Sequence, residues 1–97
     1  MDNDAEMLKR LGNQITNMLV KYRALPIDEQ MAVHPALKQL LEEYARYQAK
    51  LLMIGIITTD EDIKEIKLLK TAVDDAANKM DLLAAIGKFI SFIVVRV

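Results

Sequence analysis

Residues 35–54 read PALKQLLEEYARYQAKLLMI. Leu37, Leu40, Tyr44, Tyr47, Leu51 and Ile54 follow one another at spacings of 3, 4, 3, 4 and 3, which sets them along one face of a helix. Leu41, Ala45, Gln48 and Leu52 run beside that row and widen it. Lys38, Glu42, Glu43, Arg46 and Lys50 take the remaining face, and Glu42 with Arg46 is an i,i+4 pair of the favourable order, good for about 0.2–0.5 kcal/mol. Pro35 suits the first turn of a helix, where its missing N–H has no partner to lose. Gly55 can adopt the left-handed conformation that closes a helix end. The stretch therefore predicts a helix over residues 35–54 and an all-α chain.

The same rhythm recurs on either side. Leu8, Leu11, Ile15, Met18, Tyr22 and Leu25 again fall at 3, 4, 3, 4, 3, predicting a helix over residues 4–25. Asn3 and Glu6 sit at its start in the acceptor-then-carboxylate spacing of an N-cap, and Pro26 biases Leu25 away from helical dihedrals. Residues 26–34 then read as a connection, with one turn of helix at 28–32 at most. Downstream, Thr58 and Glu61 have the spacing of a capping box, and Asp60, Glu61 and Asp62 favour the positive end of a helix dipole. Ile63, Ile66, Leu69, Val73, Ala76 or Ala77, and Met80 continue at helical spacing and predict a helix over residues 59–79.

Residues 82–97, LLAAIGKFISFIVVRV, differ in kind: only Lys88, Ser91 and Arg96 are polar. Two apolar rows coexist there, Leu82, Ile86, Phe89 and Ile93 on one side and Leu83, Ile90, Val94 and Val97 on another. A helix apolar nearly all round is normally covered, by protein or by lipid. Gly87 interrupts the second row and is expected to admit a closely packed helix. A fourth helix is predicted over residues 81–95, and the sequence leaves open whether residues 59–97 form one helix or two. The predicted architecture is a single domain over residues 1–97, an antiparallel bundle of three long helices plus this apolar C-terminal helix or helix extension. Short connections favour antiparallel neighbours.

Composition narrows the function. Of the 97 residues 53% are hydrophobic and 28% charged, and the mean hydropathy is +0.12. That apolar content exceeds what a polar-coated monomer of this size needs. Net charge is −1, short of the basic footprint that nucleic-acid binding requires; Lys64, Lys67 and Lys70 lie among Asp60, Glu61, Asp62 and Glu65. Cysteine is absent, which removes disulfides, Cys-zinc sites and thiol nucleophiles. His34 is the single histidine and has no paired ligand or base at helical spacing, so it reads as a capping or surface residue beside Pro35. The acids of 60–62, and Asp74, Asp75 and Asp81, are explained by helix dipoles and an i,i+4 pair of Asp75 with Lys79. Gly12, Gly55 and Gly87 are isolated, so no phosphate-cradling loop is formed. No catalytic, cofactor-binding or metal residues are expected, and no cofactor.

The start Met1-Asp2-Asn3-Asp4 lacks the apolar core of a signal peptide, and the expectation is a cytoplasmic protein, peripheral to a membrane at most. The spacing of His34-Pro35, Leu40-Leu41, Tyr44, Gln48 and Thr59-x-x-Asp62-Ile63 matches generic helix-start and core positions of small helical regulators and assigns no family. The expected function is a non-enzymatic helical interaction or regulatory module that self-associates, as a dimer, through Leu82, Leu83, Ile86, Phe89, Ile90, Ile93, Val94 and Val97. The alternative is a small membrane-associated protein, of a phage or a bacterial envelope, whose last helix enters lipid with Lys88 and Arg96 reaching the headgroups.

Overall fold

A computed structural model describes residues 2–55 and 57–97. It contains four helices, α1 (Asn3–Arg23), α2 (Ile27–Met53), α3 (Asp60–Asp74) and α4 (Lys79–Val94), and no strand among the described residues. The chain is all-α.

Each helix start has a local cause. Asp2, not Asn3, caps α1, its carboxylate accepting from Asp4 N at 2.9 Å. Asn3 is already helical and donates to Asp60 Oδ1 at 2.9 Å, so it links α1 to α3. At α3 the capping box sits one residue later than the sequence suggests: Thr59 Oγ1 accepts from Asp62 N, and Asp62 Oδ2 accepts from Thr59 N. Thr58 is buried instead. Asn78 caps α4 by accepting from Asp81 N, while Asp81 Oδ2 accepts from Ala77 N. This cap answers the open question about residues 59–97: they form two helices, broken at residues 75–78.

Pro35 overturns one expectation. It lies inside α2 rather than opening a new helix, and the link between α1 and α2 shrinks to residues 24–26. An interior proline removes one backbone hydrogen bond, here to the carbonyl of Met31, and crowds that carbonyl. Met31 and Pro35 are both exposed, so water can reach the freed carbonyl. Val33, fully buried, holds the preceding turns on the core, and Gln30 Nε2 donates to Leu25 O at 2.9 Å, closing the end of α1. The turns before Pro35 thus have packing and hydrogen bonds of their own.

The long-range hydrogen bonds orient the helices. Asp4 near the start of α1 accepts from Thr58 N at 2.8 Å and Ile57 N at 3.2 Å, just before α3. Lys21 near the end of α1 donates to Ala76 O at 2.6 Å, just after α3. Helices α1 and α3 therefore run in the same direction. Lys50 at the end of α2 donates to Arg96 O at 2.7 Å, after the end of α4, and these two also run together. Consecutive helices run oppositely, but the most extensive packing joins α2 to α4 and α1 to α3, and the backbones of α2 and α3 stay apart. The chain measures 41 × 22 × 19 Å, and α2, about 40 Å at 1.5 Å per residue, spans its length.

The core combines Met7, Leu11, Ile15 and Met18 of α1, Val33, Leu37, Leu40, Tyr47 and Leu51 of α2, Ile63, Ile66 and Val73 of α3, and the α4 row Leu82, Ile86, Phe89 and Ile93. Gly55 has φ +71°, the left-handed turn expected after α2. Ile54, read from the sequence as the last residue of the inner row, is exposed although it keeps helical dihedrals as the cap of α2.

Gly87 reverses another expectation. A Cβ built on it meets nothing within 4 Å, so no helix packs closely there. A glycine in an exposed helix interior costs about 0.5–1 kcal/mol relative to alanine. Gly87→Ala is expected to raise the melting temperature by several degrees, as followed by circular dichroism. A lower melting temperature would mean that another surface covers Gly87 in solution.

Candidate interaction surface

The eight residues singled out in residues 82–97 separate into three groups. Leu82, Ile86, Phe89 and Ile93 lie in the chain's own core. Leu83 and Ile90 are half-buried and pack against it. Val94 and Val97 are exposed, as is their neighbour Val95. The structure therefore brings half of the expected contact row into the core of the monomer, where α4 packs most extensively on α2 and also meets α3 and α1. The apolar surplus read from this segment is largely absorbed inside one chain.

Exposed apolar side chains concentrate elsewhere. At one end of the molecule, where Lys50 reaches Arg96 O, α2 exposes Leu52 and Met53, Ile54 follows, and the C-terminal turn exposes Val94, Val95 and Val97. Along the outer flank of α2, Ile27 is 73% exposed, Met31 71%, Leu41 40% and Leu52 71%. Leu41, Ala45, Gln48 and Leu52, expected to widen the inner stripe, are exposed instead. They form the upper half of an outward row, and the lower half was hidden by treating residues 26–34 as a connection.

The α2–α4 end is also where polar groups converge. Arg96 Nη2 lies 2.8 Å from both Asp62 Oδ1 and Glu65 Oε2, Arg96 Nη1 donates to Phe92 O at 2.6 Å, and the guanidinium stacks 3.7 Å from the Phe92 ring centroid. Burial alone would raise the Asp62 carboxyl, but the Thr59 N–H and the Arg96 guanidinium outweigh it and hold Asp62 below its ordinary value. Burial pushes the Tyr47 phenol up, with the charges of Asp62 and Asp4 adding to this and Thr58 and Arg96 opposing it. These groups fasten the C-terminal turn to α3.

The sign of the Asp62 effect follows from its depressed pKa. The stabilisation is present above the usual carboxylate range and is lost as pH falls through the lowered value. Arg96→Met is expected to flatten the decline in melting temperature between about pH 5 and pH 2 relative to the wild type. Equal slopes would show that Arg96 does not hold Asp62.

Among the described residues, no group of three or more His, Cys, Asp or Glu side chains is placed to hold a metal ion. No helix of the described residues is long and apolar enough to cross a membrane. His34 is exposed on the outer flank of α2, away from any helix start. A shallow groove between α3 and α4 is lined by Leu69, Ala84, Gly87, Lys88 and Ser91, and another at the α1–α2 turn by Tyr22, Ile27, Met31, His34 and Pro35. Compared with known proteins, the chain matches no family model, no curated protein and no solved structure.

Proposed function

We propose that the chain is a non-enzymatic helical interaction module that acts by binding a second copy of itself. The observation that carries this reading is the exposed row on α2 that carries Ile27, Met31, Leu41 and Leu52, which the chain's own helices leave uncovered although it runs the length of the molecule. Of the segment first expected to mediate contact, the C-terminal Val94, Val95 and Val97 remain outward and extend the apolar surface at the α2–α4 end.

Sedimentation velocity at micromolar concentration is the test. A dimer is the expected result, and a stable monomer overturns the reading. One feature favours a rival: Met53, Ile54, Val94, Val95 and Val97 form an exposed apolar end of the molecule, a surface suited to lipid. Flotation with anionic phosphatidylglycerol vesicles separates the two. Self-association predicts that the protein stays in the soluble fraction, and the membrane reading predicts that it floats.

A further inference from the structure

We infer that the self-association proposed above is an antiparallel pairing of α2 with α2 of the second copy, about a two-fold axis crossing the helix between Gln39 and Leu40; it rests on that reading and gives it a geometry.

Because α2 continues through Pro35, positions 27, 31, 34, 38, 41, 45, 48 and 52 form one unbroken row at alternating spacings of 4 and 3. Every one of the eight is exposed. This is the spacing of a two-helix seam, and it lies on a different flank from the row that fills the core. Over 25 residue steps it extends about 38 Å, close to the 41 Å long dimension of the molecule. Two copies can thus meet along it without any change in the bundle.

Direction is chosen by side-chain chemistry. Laid antiparallel, position 27 meets 52, 31 meets 48, 34 meets 45 and 38 meets 41. Ile27 then covers Leu52 at both ends of the seam, where each is otherwise among the most exposed apolar residues of the chain. In the middle, Lys38 lies over Leu41 and beside Glu42 of the second copy, and the two-fold axis repeats that opposite-charge pair. Laid parallel, Lys38 would face Lys38 across the seam, a like-charge contact that is unfavourable.

Lys38 and Glu42 are also available for such a contact. They stand i,i+4 apart on α2, yet neither takes part in an ion pair among the described residues, whereas Arg46 with Glu43 and Lys70 with Asp74 do. Self-complementarity of the row, one cation and one anion astride its midpoint, is what a two-fold contact between identical surfaces requires.

Charge reversal tests the geometry directly. K38E and E42K each turn both central pairs into repulsions, and each variant alone is expected to dimerise with a dissociation constant raised about tenfold, since exposed pairs are worth about 0.2–1 kcal/mol each. Mixed in equal amounts, the two variants restore two opposite-charge pairs, so the heterodimer should form with the affinity of the wild type and dominate a native mass spectrum. Circular dichroism of each variant controls for folding, because both positions are exposed. A wild-type dimer whose affinity neither variant alters, or a mixture that does not recover it, overturns the antiparallel α2 pairing and leaves self-association standing. A wild type that stays monomeric at micromolar concentration overturns both.

Discussion

Phe89→Ala is expected to lower the unfolding free energy by about 3–5 kcal/mol, in the range for buried phenylalanine truncations. Phe89 is fully buried on α4, and it is among the largest side chains wholly enclosed by the chain. The loss comes from the transfer energy of the ring and from the cavity left in the core, which collapses only in part. Domains of this size have about 5–15 kcal/mol in all, so the variant forfeits a large share of that, and the melting temperature should fall by more than about 10 °C. Urea titration with an unchanged m-value checks it. By contrast Val95→Ala, at an exposed position, should stay within about 0.5 kcal/mol. If Phe89→Ala instead left monomer stability intact and only dissociated an oligomer, α4 would be an interface helix and its placement in the core would be wrong.

Asp4→Ala is expected to cost about 2–4 kcal/mol by a different route, the loss of charge-assisted hydrogen bonds. The Asp4 carboxylate is buried and accepts from the N–H groups of Thr58 and Ile57. Removing it leaves the Thr58 N–H buried without that acceptor, and an unpaired buried donor retains its full desolvation penalty. Asp4→Asn keeps one acceptor oxygen and should lose less. Hydrogen exchange at the Thr58 amide gives a local readout: protection should drop in Asp4→Ala by more than in Gly87→Ala, which touches no part of this connection. Equal protection in both variants would show that Asp4 does not hold the segment before α3.

The inner faces were largely legible from periodicity. Leu37, Leu40, Tyr47 and Leu51 are buried as their spacing implies, and so are Leu11, Ile15 and Met18. Of the two rows on α4, the first became core and the second stayed at or near the surface, a distinction that spacing cannot make because both rows are equally apolar. Pro35 misled because its local preference for a helix start is real, but it was outweighed by Val33 in the core and Gln30 at the end of α1. That single misreading also concealed the outer row of α2, since residues 27–34 had to be helical before Ile27 and Met31 could join Leu41 and Leu52. Thr58 and Thr59 both offer a cap hydroxyl with an acid three residues on, and only the burial of Thr58 decides between them. Asp4 carried no signal of its role, because nothing local announces a carboxylate whose partners lie more than fifty residues away.

The parallel pairing of α2 with α4 and of α1 with α3 has a consequence for how the chain comes to its final form. The two halves, residues 2–55 and 57–97, are each a hairpin of neighbouring helices, yet the larger contacts lie between the hairpins rather than within them. Early in synthesis, α1 and α2 can close on their short link, but the core face of α2 with Leu37, Leu40 and Leu51 stays incompletely covered until α4, which packs most extensively on α2, has been made. Completion of the core is therefore deferred until α4 has been made, and until then the nascent first half carries bare apolar surface, the condition in which a chain is most prone to aggregate.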